Sequence, residues 1–362
     1  MQGSRSIRLL LAAAVSVSGG MIAIPDARAN GTPIIADVRA PWEHDQTGYV
    51  FPPVVTGFER TSIQDFGKGE FDLSAAYSDP ATHTETTLYL FHAGLADPSV
   101  WHDRILVAMS SGALGTLGDT TTTVFTPPTR QAGAGIRSVA PLEGKSSKAT
   151  GVAIYPFADW LIAVRMTSRT LEPSALDARL AAFVQDLSAP AVPTKSAPPA
   201  YLIAPCEDAL PEKQAKIFRP TMMDAMIGAA ADLPNKDLPY DEAALAPMGV
   251  VWCRDSASTN DYGVYRADGT KKRYIVAVGD AGMTAFVGAD KLGAQLSGAA
   301  NMYQMLVRTV DHTYVYPRFS RLPAVNQVIG QISRGSPISS ATRGKTDKTI
   351  TLPSPSEGKE AH

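Results

Sequence analysis

Ala189-Pro190-Ala191-Val192-Pro193-Thr194-Lys195-Ser196-Ala197-Pro198-Pro199-Ala200 divides the chain. Four prolines in these twelve residues fix φ, remove backbone donors and push each preceding residue toward extended shapes. Neither a helix nor an internal strand suits such a stretch, which reads as a semi-rigid spacer with a patterned block on each side. With 362 residues the chain is long enough for two cores of ordinary size. The expected organisation is a signal peptide over 1–29, an extended lead-in over 30–48 and a first α+β domain over 49–188. The Pro/Ala-rich linker over 189–200, a second α+β domain over 201–333 and a disordered polar tail over 334–362 complete it.

The compartment comes from the first segment. Arg5 and Arg8 precede the apolar run Leu9–Val17, Gly19-Gly20 follows, and Pro25-Asp26-Ala27-Arg28-Ala29 closes the segment. A basic start, a short apolar middle and an Ala-x-Ala end are the parts of a secretory signal peptide, so cleavage is expected between Ala29 and Asn30. As a membrane anchor the run is short and broken by glycine, serine and proline. The chain is expected outside the cytoplasm, periplasmic in a Gram-negative cell and otherwise secreted, with no stable membrane insertion after cleavage. A formal net charge of −2 supplies no global attraction to nucleic acid. The two cysteines, Cys206 and Cys253, lie in the strand-like contexts Tyr201–Cys206 and Val250–Cys253. In an oxidising compartment an even count in neighbouring strands predicts a structural disulfide. No Cys-x-x-Cys spacing points to redox work.

Hydrophobic periodicity places the elements. Phe71, Leu73, Ala75 and Tyr77 repeat every second residue, and Thr86–Phe91 is rich in β-branched and aromatic side chains, so both stretches read as strands. Gly57–Phe66 is a third strand ahead of them. Asp97-Pro98 opens a helix whose Trp101, Ile105, Ala108 and Met109 share one face. Leu114–Ser147, rich in Gly, Thr and Pro, reads as loops with one or two short strands. Gly151–Phe157 and Trp160–Ser168 form a hairpin turning at Ala158-Asp159. Glu172-Pro173 opens a second helix with Leu176, Leu180, Phe183, Val184 and Leu187 on its apolar face. After the spacer come a short strand at Tyr201–Pro205, a helix at Pro220–Ala231 and a loop at Leu233–Pro247. Strands then follow at Val250–Cys253, Tyr262–Arg266, Arg273–Val278, Met283–Val287, Tyr303–Val310 and Thr313–Tyr316, and Leu322–Ile332 closes as a helix. The fold class expected is α+β, with two mostly antiparallel sheets, each carrying its helices on one face.

Chemistry is sparsely marked. Gly-x-Ser-x-Gly, Ser-x-x-Lys and His-Glu-x-x-His are missing. Gly344-Lys345-Thr346 lacks the glycine that a phosphate loop needs five positions earlier, where Ser339 stands. His83, His92 and His102 lie in one region, but their spacing does not force them onto one ion, so hydrogen-bonded histidines are the plainer expectation. Asp311-His312 reads as a turn. Met222, Met223 and Met226 carry Cu(I)-type thioethers at helical spacing, which is also the pattern of a core face. Lys271-Lys272-Arg273 beside Tyr262, Tyr265 and Tyr274 could form a basic aromatic patch for an anionic glycan or a protein, against the plainer reading of cross-strand tyrosines. No catalytic, cofactor-binding or metal residue is assigned. The expected function is an exported non-enzymatic binding or envelope-accessory protein that offers sheet faces and loops to an envelope protein or glycan. The alternatives are a cell-envelope hydrolase with a loop-borne site and an assembly or stability factor.

Overall fold

A computed structural model describes residues 31–351 apart from 111–114, 145, 189, 191–197, 222–223, 225–249, 268, 281, 299 and 345–348. The cleavage site Ala29–Asn30, most of the proline-rich stretch, Met222, Met223, Met226 and the loop expected at Leu233–Pro247 lie outside the described residues.

Phe58–Asp65 (β1), Asp72–Asp79 (β2) and Thr84–Phe91 (β3) form an antiparallel meander. The chain enters helix α1, Pro98–Ser110, and returns through Thr121–Phe125 (β4), Gly135–Glu143 (β5), Ala149–Phe157 (β6) and Trp160–Ser168 (β7). Helix α2, Pro173–Asp186, follows. β7 pairs back onto β3, so the order β1-β2-β3-β7-β6-β5-β4 runs through a ten-stranded sheet that short strands extend at its margins. Alternation assigns the faces. Leu73, Ala75 and Tyr77 of β2 and Trp160, Ile162, Val164 and Met166 of β7 face α2, which adds Leu176, Leu180, Phe183 and Val184. The opposite face presents Phe91, Ile136, Val152, Ile154, Leu161 and Ala163 to α1.

The second sheet has nine strands and runs in sequence order. Its main members are Trp252–Arg254 (β8), Tyr262–Ala267 (β9), Tyr274–Val278 (β10), Met283–Ala289 (β11), Tyr303–Arg308 (β12), His312–Val315 (β13) and Ser339–Thr342 (β14). A two-turn helix, Lys291–Ser297 (α3), separates β11 from β12, and Val325–Arg334 (α4) precedes β14. One face of this sheet packs Val264, Val276, Ala285 and Val307 against Val328 and Ile332 of α4. The other face, with Trp252, Tyr265, Ile275, Ala277, Phe286 and Leu306, joins α1 and the inner face of the first sheet in one hydrophobic cluster.

That shared cluster changes the sequence reading in four places. The two sheets lie in separate stretches of chain, as expected, yet they pack on each other rather than standing apart on a tether. The described end of the proline-rich stretch takes part: Ala200 is buried in the shared cluster and its amide donates to Gly133 O at 2.8 Å. The helices of the first sheet lie on opposite faces, α2 outside and α1 between the sheets, not together on one face. The tail expected from Arg334 is ordered over 335–344: β14 pairs with β13 from His312↔Thr342 to Val315↔Ser339. The ladder of backbone hydrogen bonds and the buried Ile338 and Ala341 hold a stretch whose polar composition alone would not. Lastly, Gly135–Glu143 is a nine-residue strand in the region read as loops. Its Ile136 joins α1 in the shared cluster and its Ser138 meets His102 of α1, while Arg137 reaches the α2 residue Asp177 at 2.6 Å.

α1 carries the junction. Asp97 caps it by accepting from Ser99 N at 2.9 Å, and its other oxygen accepts from Trp252 Nε1 of the second sheet at 2.8 Å. Asp103 accepts from Tyr265 Oη at 2.7 Å and pairs with Arg254 at 2.8 Å. Arg104, fully buried, donates to three carbonyls on the turns of the second sheet: Gly279 at 2.9 Å, Thr259 at 3.1 Å and Asn260 at 2.7 Å. Beside it the backbones meet directly, with Gly94 N donating to Gly282 O at 2.6 Å. A Cβ at Gly94 would lie 2.7 Å from Arg308 O, so only glycine permits this approach. Cys206 and Cys253 form the expected disulfide, with Cα atoms 4.9 Å apart. The parallel pairing of Ala204 with Cys253 brings them together.

Candidate functional site

The histidines are distributed, not gathered. His92 leaves β3 at the seam, where Nδ1 donates to Val310 O at 2.8 Å and Nε2 lies 3.1 Å from Asp159 Oδ2. Its ring stacks on Trp160 at 4.9 Å. The hydrogen bond from His92 holds the Asp159 carboxyl below the usual carboxylate range, with Arg343 adding to the effect. Arg343 also donates to Ala93 O at 2.9 Å, so the cluster clamps the end of β14 onto the first sheet. His83 occupies an exposed turn with φ 47°. His312 faces Asp311 at 3.0 Å across the tip of the β12–β13 hairpin, and that contact raises the His312 pKa.

His102 brings a serine and a histidine together. Its Nε2 is 2.8 Å from Ser138 Oγ, which lies 2.6 Å from Thr122 Oγ1. His102 and Ser138 are each only 1% exposed, beneath α1. Burial pulls the His102 pKa down to about 4, so the ring is neutral at physiological pH. The chain of hydroxyls satisfies polar groups under a helix, and no substrate reaches it while α1 stays in place. Among the described residues no group of three or more His, Cys, Asp or Glu could hold a metal ion.

The basic aromatic patch does not assemble. Tyr265 pairs in register with Ile275, so Tyr274 falls on the other face of the sheet. Tyr265 enters the shared cluster and Tyr274 the α4 core. Lys271 is held by Asp208 at 2.6 Å. Tyr262 is half-buried at the strand end.

A different surface combines charge, hydroxyls and access. Across the inner face of the first sheet, beyond α1, the register aligns Ser62, Ala76, Thr87 and Arg165 in one row. The next row on that face is Gln64, Ser74, Tyr89 and Ala163, and the row on the other side is Ser78, Glu85 and Thr167. Arg137, Arg179 and Arg254 each hold a carboxylate at 2.6–2.8 Å, whereas half-buried Arg165 holds none among the described residues. Burial raises the Tyr89 pKa, with Arg165 opposing and Asp280 and Asp72 adding, so its hydroxyl remains a donor. Asp72 is pushed up to about 7, first by burial, then by the Asp280 and Asp65 carboxylates. Near neutral pH it is therefore shared between a donor and an acceptor form. A cation in no ion pair among the described residues, a phenol, a titrating carboxyl and a row of small hydroxyls supply the groups that recognise carboxylates and sugar hydroxyls. The sequence signal for this face was the period of β7, where Leu161, Ala163, Arg165 and Thr167 share one side and the arginine breaks an apolar pattern.

No known protein family, curated protein or solved structure matches the chain.

Proposed function

We propose that this is an exported, non-enzymatic binding protein of the cell envelope, and that it takes an acidic glycan on the part of the first sheet's inner face that lies beyond α1. The observation that carries the reading is Arg165: a half-buried guanidinium on a strand interior that meets no carboxylate among the described residues. A cation on a strand interior that meets no carboxylate among the described residues suits an anionic ligand. Thr87 and Thr167, its neighbours on that face, and Tyr89 supply the hydroxyls for a sugar ring. The export reading rests on the N-terminal pattern. It is supported by the Cys206–Cys253 disulfide and by the lack, among the described residues, of any helix long and apolar enough to cross a membrane.

Calorimetry with uronate-bearing and neutral oligosaccharides tests this. Binding is expected for the acidic set, weakening with salt, and Arg165→Glu should abolish it without changing the thermal midpoint. Equal binding by Arg165→Glu, or no binding by the wild-type chain, would refute the assignment. Release of shortened saccharides during the titration would turn the reading toward a hydrolase.

A further inference from the structure

The margins of the two sheets are not protected alike. Three end only in two-residue strands, Thr32–Pro33, Ala204–Pro205 and Ile350–Thr351, two of which place a proline at the edge, while the fourth holds the two-residue strand Thr116–Leu117 and β4 one after the other along β5. Short strands, prolines and charges are the usual devices that stop sheet edges from pairing with other chains. The fourth margin has none of them where β4 runs. β4 is five residues long, Thr121-Thr122-Thr123-Val124-Phe125, without charge or proline. Its inner side pairs with β5 from Thr121↔Val139 to Phe125↔Gly135, and no described strand pairs with its outer side. Thr121 and Thr123 are exposed, and Val124 keeps 46% of its surface in solvent.

We propose that β4 pairs antiparallel with β4 of a second copy of this chain, joining the two first sheets across a two-fold axis at Thr123. Three features favour a second copy over an unrelated peptide. The strand is self-complementary about Thr123: Thr121 falls opposite Phe125 and Thr122 opposite Val124. Such β-branched and aromatic cross-strand pairs contribute about 0.2–1 kcal/mol each. No like charges meet, because the nearest acid before the strand, Asp119, falls opposite Pro127 of the other copy. The row also offers a charged peptide nothing to recognise, whereas its own uncharged edge matches it. A contact that uses the same patch on both copies is closed, so assembly stops at the dimer rather than growing into a fibre.

Sedimentation equilibrium of the full chain at tens of micromolar tests this. The wild-type chain is expected at twice its monomer mass. Thr123→Lys and Thr123→Glu each place like charges face to face on the axis, and each should weaken the dimer at least about tenfold, roughly 1.4 kcal/mol. Mixing the two variants should restore a one-to-one dimer, because lysine then faces glutamate. Thermal midpoints report that both variants fold. A monomeric wild-type chain, a dimer that both substitutions leave intact, or a mixture that stays monomeric would each overturn the proposal. A monomer that adds a foreign peptide to β4 would overturn it as well.

Discussion

Arg104→Met removes the guanidinium that α1 pushes into the turns of the second sheet while keeping most of its apolar volume. Three hydrogen bonds from a charged donor are lost, to Gly279 O, Thr259 O and Asn260 O. At about 1.5–3 kcal/mol each, the gross loss would be roughly 5–9 kcal/mol if all three carbonyls stayed dry. They do not all stay dry: Thr259 and Asn260 are exposed residues, so water can replace the arginine there, while Gly279 is half-buried. The variant also escapes the cost of burying a cation, a cost that shows as the lowered pKa of Arg104. The net loss is therefore expected at about 2–4 kcal/mol, a large share of the 5–15 kcal/mol that holds a typical protein folded. Urea unfolding followed by tryptophan emission suits the test, because Trp101 lies on α1 and Trp252 on the second sheet. The midpoint should fall by about 1 M or more, in one transition. Arg104→Lys, which keeps the charge but not the fork of donors, should fall between the two. A loss below about 0.5 kcal/mol, or a wild-type chain unfolding in two separate steps, would refute the view that α1 joins the sheets into one core.

Two more perturbations probe the seam and the cross-link. Asp72 keeps its proton in the folded state up to about pH 7, whereas the unfolded carboxyl loses it near 4. Its folded pKa is raised, so below about 4 it contributes nothing to the pH dependence, and stability declines as pH rises from there to 7. The full three-unit shift would be roughly 4 kcal/mol; partial solvent screening brings the expected effect to about 1–2 kcal/mol. Asp72→Asn should therefore raise the unfolding free energy at pH 8 and leave it unchanged at pH 4, and equal changes at both values would contradict the shift. Reducing Cys206–Cys253, which spans 47 residues, should cost up to about 4 kcal/mol by the loop-entropy model. Thiol labelling of the unfolded, unreduced chain should find no free cysteine, and two labelled residues would exclude the bridge.

Local pattern was enough for elements whose two sides have different environments. α2 shows its apolar stripe plainly because only one side meets a core, and the β6–β7 hairpin was legible from alternation and the Ala158-Asp159 turn. α1 was found but misjudged. Its stripe of Trp101, Ile105 and Met109 was visible, yet His102, Asp103 and Arg104 are buried as well. A polar residue that finds a partner in a distant segment looks, in sequence, like one that faces water. The same limit hid β5, with Arg137 and Ser138 inside it, and β14, which is held by pairing to β13. It also explains the candidate site. Tyr265 and Tyr274 are near neighbours in sequence and on opposite faces of a sheet, while Arg165 and Tyr89 are far apart in sequence and adjacent on one face.

From the amino acids alone came the strands of the two central meanders with α1, α2 and α4, the division of chain between two sheets, and the pairing of the two cysteines. These rest on interactions within a few residues, or on an elimination with one answer left. That the sheets share a core, that a charged helix lies between them, and that Arg165 meets no carboxylate among the described residues were decided by tertiary packing. Each depends on which distant groups neutralise or bury one another, and the chemistry of contact is not written in linear order.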